Sequence, residues 1–180
     1  MANQNILEKI YNNHVDDLYT YALYLGFDKE MVMDAIHDVF CKLAEKYEVL
    51  DEVVNIKFFL FRSLKNRLID IYKSKKEYFE IDSNVEKHNK LSFNFVVNID
   101  DEIINKEDGE IVRRQITEML DSLTDKQREV IYLRYIQEYE YAQIAEILNI
   151  SIHGCRKLVS KSILSLREKY GAIVVLLLLV

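Results

Sequence analysis

The chain has 180 residues, enough for one domain or two small ones, and 49% of them are hydrophobic, so packed cores are within reach. It has no proline and four glycines, so helices meet few of their usual breakers, and its net charge of −6 excludes a uniformly basic nucleic-acid coat. The two cysteines, Cys41 and Cys155, sit in no CxxC pattern, which fits a reducing cytoplasmic setting and not a disulfide scaffold.

The opening MANQNILEKIYNN has no basic stretch followed by a long apolar core, so no secretory signal is expected. A first helix is predicted from about Asn5 to Leu25, ending near Gly26. Asp28 is placed to cap a second helix through Tyr47, with Met31, Val32, Ala35, Ile36, Val39, Phe40, Leu43, Ala44 and Tyr47 on one apolar stripe. Asp34, Asp38 and Glu45 fall on its other side. A polar break at Asp51-Glu52 leads to a third helix, Asn55 to Lys76. Three such helices can bury one another, giving a first domain over residues 1–76.

The third helix has two stripes. Ile56, Leu60, Leu64, Leu68 and Ile71 are predicted to face the core. Arg62, Lys65, Asn66, Ile69, Lys73 and Lys76 share another face at spacings of three, four and seven, with Phe58 and Phe61 extending it and Tyr72 at its border. Cations with aromatics suit a single nucleic-acid strand, whose phosphates they neutralise and whose bases they stack. Equally, the aromatics can be core and the lysines a solvated surface; the pattern alone leaves both open.

Residues 77–108 lose helical period and are read as an acidic linker, since a structureless loop of that length is unusual within a compact domain. Within it, Leu91, Phe93, Phe95, Val97 and Ile99 alternate with Ser92, Asn94, Val96 and Asn98, a period of two that argues for extended chain. That segment is either packed on its own domain or an arm for a partner's groove. Helix returns from about Gly109, breaks at Ser122-Leu123-Thr124, and resumes with DKQREVIYLRYI, for which Thr124 and Gln127 have capping-box spacing.

Tyr141 to Tyr170 reads as a helix, a tight turn and a second helix. Ile144, Ala145, Ile147 and Leu148 give the first its apolar face, Asn149 suits a left-handed helix end, and Ser151 suits the following N-cap. In the second helix Ile152, Cys155, Val159, Ile163, Leu166 and Tyr170 are predicted to be buried, which turns Arg156, Lys157, Ser160 and Lys161 outward. A helix-turn-helix offers this part of its second helix to the DNA major groove. The second domain is therefore residues 109–171, followed by a hydrophobic tail, 172–180, about half the ~20 residues of a spanning helix, so no membrane insertion is expected. The predicted fold is all-α: two small helical domains joined by an acidic linker.

Three blocks in this order resemble bacterial RNA polymerase sigma factors of the sigma-70 family, extracytoplasmic-function (ECF) group. DAIHDVFCKLAEKY (Asp34–Tyr47) is similar to the part of region two that grips the polymerase clamp helices. FFLFRSLKNRLIDIYKSKK (Phe58–Lys76) is similar to the part that melts and reads the minus-ten element. LTDKQREVIYLRY with YAQIAEILNIS and its following helix is similar to region four, which reads the minus-thirty-five element. The resemblance covers about Val15 to Tyr170, except most of the linker.

It implies that Asp34, His37 and Asp38 bind core RNA polymerase. Arg62, Lys65, Asn66 and Lys73 would contact the minus-ten element, and Arg156, Lys157, Ser160 and Lys161 the minus-thirty-five element of promoter DNA. It also implies an anti-sigma partner, no catalytic residue, no metal and no cofactor. The sequence departs from the family pattern at several places: Asn149 for a turn glycine, Glu140 for a capping hydroxyl, Thr124 for a proline, His153-Gly154-Cys155 for a small-Thr-Val run, and Leu158 for a cation.

Two other readings compete. A dimeric helix-turn-helix regulator would bind a palindromic duplex unaided, its interface supplied by the leucine-rich tail. A metal protein would use His37 and Cys41, one helical turn apart, but His14, His88 and His153 give them no matching partner.

Overall fold

A computed structural model describes residues 2–45, 55–81, 93 and 106–171. The chain forms two compact units that divide between Ser92 and Phe93. Every described element is helical. The C-terminal tail and all of the alternating stretch except Phe93 lie outside the described residues.

The first unit holds α1 (Ala2–Tyr24), α2 (Lys29–Glu45) and α3 (Ile56–Ile81), each packed on the other two. Gly26, at φ 85°, turns the chain after α1. Asp28 Oδ1 accepts the Met31 N–H at 2.9 Å, so the expected cap of α2 is formed. Asn55 Oδ1 does the same for Phe58 N–H at the start of α3. Val32, Ala35, Ile36, Val39, Phe40 and Leu43 of α2 are buried, as their spacing predicts. Leu60, Leu64 and Leu68 of α3 are fully buried against them, while Ile56 and Ile71 at its two ends are half-buried.

Phe61 is fully buried too, its ring 5.1 Å from that of Tyr21 in α1. It is a core residue, and of the two readings of the α3 aromatics the packing one holds at this position. Helix α3 continues to Ile81, into the stretch expected to be linker.

The second unit holds α4 (Lys106–Asp121), α5 (Asp125–Ile131), α6 (Tyr141–Leu148) and α7 (Ile152–Tyr170). Gln127 reaches back to open α5: its Oε1 accepts from the Thr124 N–H and from the Thr124 hydroxyl, both at 3.0 Å. Where a proline is usual, this pair sets the helix start by hydrogen bonding. After Ile131 the helix widens into a π turn, Tyr132–Ile136, whose end is marked by Gln137 N–H donating to Tyr132 O at 3.0 Å. Glu138, at φ 59°, then redirects the chain toward α6.

Val130, Ile131, Leu133, Ile144, Ile147, Cys155, Val159 and Leu166 form the core where α7 crosses α5 and α6. Tyr170 donates its hydroxyl to Glu118 O at 3.2 Å, tying the end of α7 to α4. Phe93 is 2% exposed, and its ring lies 5.6 Å from that of Tyr132. At that residue the alternating segment packs on its own chain.

Candidate nucleic-acid interface

The turn between α6 and α7 forms as its residues dictate. Asn149 adopts the left-handed conformation at φ 53°, and Ile150 N–H returns to Ala145 O at 2.9 Å, closing the end of α6. Ser151 Oγ accepts the Gly154 N–H at 3.0 Å and caps α7. A Cβ on Gly154 would stand 3.1 Å from that same Oγ, so glycine leaves the cap uncrowded. Glu140 stands where a hydroxyl is usual, and the start of α6 is held from the other side, by Gln143 Oε1 accepting the Glu140 N–H at 3.0 Å.

Arg156, Lys157, Ser160 and Lys161 are all exposed along one side of α7, opposite the buried Cys155, Val159 and Leu166. The buried stripe differs from the predicted one: Ile163 and Tyr170 are only half-buried, Ser162 is fully buried, and the first member, Ile152, is exposed. Ile152 is 46% exposed, because α7 begins there and the helices it packs on are met only from Cys155 onward. An apolar side chain thus stands one turn ahead of Arg156 on the open end of the helix. Burial pushes the Cys155 thiol above its ordinary range, with Arg134 pulling weakly the other way.

Two residues that spacing analysis missed support this surface. Tyr141, at the first turn of α6, has the Arg134 guanidinium 4.8 Å from its ring centroid and the Arg156 guanidinium 5.7 Å from it. Arg134 lies in the π turn and donates to Tyr139 O at 2.8 Å. No periodicity could join Arg134, Tyr141 and Arg156, since they come from three elements that meet only in the fold. The residue-level signal was composition alone: arginines and tyrosines on either side of a turn.

In the first unit, Arg62, Asn66 and Lys73 are exposed on α3 and share a solvent-facing stripe. Lys65 does not share it. It is 9% exposed, on the same side of the helix as the buried Phe61 and Leu68. On α2, Asp34 and His37 are exposed, and His37 Nε2 lies 3.4 Å from Cys41 Sγ. Among the described residues no group of three or more metal-ligating side chains gathers there or elsewhere.

Asp38 differs from Asp34 and His37. Its Oδ2 accepts from Arg67 Nε and faces Arg67 Nη2, both at 2.6 Å, so its carboxylate bridges α2 to α3. Beside this face a groove of about 390 Å³, lined by Tyr11, Met33, Ile36, Phe40 and Ala44 among others, runs between α1 and α2.

Residues 10–78 match the family model for Sigma-70 region 2, and residues 113–166 that for Sigma-70 region 4. The chain belongs to the sigma-70 family. It is similar to the ECF RNA polymerase sigma factor SigM of Bacillus subtilis (strain 168), 25% identical over 149 residues, covering 81% of this chain and 83% of the relative. It is similar also to SigX of the same organism, 23% identical over 155 residues, covering 82% and 75%.

Among solved structures, the fold is similar to that of the sigma factor RpoE in complex with the anti-sigma factor NepR from Bartonella quintana. There the TM-score is 0.62 at 19% identity, over 89% of this chain and 94% of that one. It is similar as well to CnrH in complex with the cytosolic domain of CnrY, with a TM-score of 0.53 at 17% identity, over 92% and 87%. The region 2 match begins within α1 and takes in all of α2 and nearly all of α3, and the region 4 match ends within α7, past Arg156, Lys157 and Lys161 of this sigma factor's helix-turn-helix.

Proposed function

We infer that this chain directs core RNA polymerase to specific promoters and assists in opening the duplex for transcription initiation. One observation supports this most: each of two units matched to sigma regions opens a cationic helical face to solvent, Arg62 and Lys73 on α3, Arg156, Lys157 and Lys161 on α7. In this reading α7 lies in the major groove of the minus-thirty-five element. Arg156 reads a base edge, while Lys157 and Lys161 hold phosphates and set the register. Arg62 and Lys73 attract the backbone of the minus-ten strand, and Asn66, exposed between them, offers an unpaired base both a donor and an acceptor. Lys65, buried, supports α3 and reaches DNA less directly than its neighbours.

Core polymerase docks on the outer side of α2 through Asp34 and His37, with Asp38 acting from within its pair with Arg67. The protein performs no covalent chemistry and works in the cytoplasm, where polymerase and DNA are. Among the described residues no helix is long and apolar enough to cross a membrane. An anti-sigma protein is a further partner; this rests on the two similar structures, one holding an anti-sigma factor and the other a cytosolic domain. The residues between α3 and α4 serve as the acidic tether between the two promoter contacts.

Reconstitution tests the whole reading. Purified chain, core polymerase and genomic DNA are combined, and transcript starts are mapped. Defined starts that require the chain are expected, with shared sequence at two upstream positions. Binding of the chain alone to a palindromic duplex, without chain-dependent starts, would overturn it in favour of a dimeric regulator.

A further inference from the structure

Tyr141 lies outside the exposed cationic stripe of α7, yet its ring is within cation–π distance of Arg156. The neighbouring cation, Arg134, is already committed. It donates to Tyr139 O at 2.8 Å, approaches Glu140 Oε1 at 3.9 Å, and stacks 4.8 Å from the Tyr141 centroid. Arg134 thereby helps fix the ring, and Glu140 offsets its charge. The same ring meets the exposed Arg156, for which no ion pair is seen among the described residues.

A free arginine on an exposed helix face samples many rotamers and must lose them when it binds a base. Stacking on an aromatic face restrains the guanidinium without using its N–H donors, which stay at its edge for a bidentate contact with guanine O6 and N7. At an exposed site such a contact favours the stacked arrangement by roughly two- to fivefold. Spacing explains the geometry. Tyr141 is held by the start of α6 and Arg156 by the second turn of α7, so the capped turn at Asn149–Ser151 fixes the distance between them.

We propose that Tyr141 is the positioning residue that holds Arg156 ready for the base pair it reads, so that sequence preference at that one promoter position depends on the ring. The proposal rests on the assignment of Arg156 to base reading, and the controls separate the two.

The test uses holoenzyme assembled from the full chain and core polymerase, on promoters randomised across the upstream element. Arg156→Ala is expected to flatten base preference at one position by about tenfold. Tyr141→Leu should weaken preference at that same position by roughly two- to fivefold and leave other positions unchanged. Tyr141→Phe, which keeps the aromatic face, should retain it. In the Arg156→Ala background, Tyr141→Leu should change nothing further.

An equal loss across all promoters with Tyr141→Leu, or an unchanged preference where Arg156→Ala abolishes it, would overturn the positioning role while sparing Arg156 as reader. An unchanged preference with Arg156→Ala would remove the base-reading assignment and the proposal together. A second measurement does not depend on a leucine variant that folds. In the full chain carrying 13C-arginine, the Arg156 side-chain protons should be shifted upfield by the ring, and an unshifted signal would likewise overturn the proposal.

Discussion

The bridge between Asp38 and Arg67 makes a prediction that separates folding from docking. Both donors meet one carboxylate oxygen at 2.6 Å, which is short and charge-assisted, but each side chain is 38% exposed. Fully exposed pairs contribute about 0.2–1 kcal/mol, and screening by solvent keeps this one from reaching the upper values for buried charge-assisted bonds. A coupling energy of about 1 kcal/mol follows for the pair. Asp38→Ala, Arg67→Ala and the double variant form the cycle. The readout is hydrogen exchange of α2 and α3 amides in the full chain, so neither unit need be isolated. Each single variant should lower protection about fivefold, and the double variant hardly more than either single one. Added salt should shrink the coupling. Additive losses, with coupling below about 0.3 kcal/mol, would refute the claim that this pair joins the two helices.

Four further expectations are independent of that pair. Asp34→Arg should abolish association with core polymerase while leaving the hydrogen exchange of α2 unchanged, because Asp34 is exposed and among the described residues no hydrogen bond or ion pair ties it to α3; pull-down and exchange on one sample check this. Burial, then Lys57, lowers the His14 pKa below 6.5, with Asp17 opposing. The stabilisation is therefore present above pH 6.5 and lost as pH falls through the folded value, and His14→Gln should flatten that part of the exchange-versus-pH profile of the first unit. Cys41 is exposed and Cys155 buried with a raised pKa, so iodoacetamide at mildly alkaline pH should label Cys41 first, and equal rates by peptide mass spectrometry would contradict the packing of α7. Phe93→Ala should destabilise the second unit by about 3–5 kcal/mol if the pocket beside Tyr132 stays open, read as lost protection in α5 and none in α2.

The sequence disclosed the helices and their caps because those signals are local. Asp28, Asn149 and Ser151 each act within four residues, and their bonds form as read. The buried leucines of α3 were equally legible, since a period of 3.6 marks one face. Lys65 was not. Helix α3 packs against both α1 and α2, so its buried arc is wider than one stripe and takes in the side of Phe61 as well as that of Leu64. Periodicity finds the centre of a buried face, whereas its width depends on how many neighbours the helix has. Ile152 shows the opposite error: the period is right, but the stripe begins before its partner helices do.

Contacts between elements were illegible for a different reason. Asp38 and Arg67 are 29 residues apart on different helices, and no spacing pattern joins them. In the fold α2, proposed to face polymerase, and α3, proposed to face the minus-ten strand, share an ion pair. A cation on the docking surface of polymerase that drew Asp38 outward would leave Arg67 without its carboxylate, on the same helix as Arg62, Asn66 and Lys73. Arg67 would then add to the positive field around the minus-ten strand only after the chain had docked. Such an ordering would make affinity for DNA depend on polymerase through two side chains already in contact. It is also why an Asp38 substitution alone cannot distinguish docking from DNA binding, whereas Asp34→Arg can.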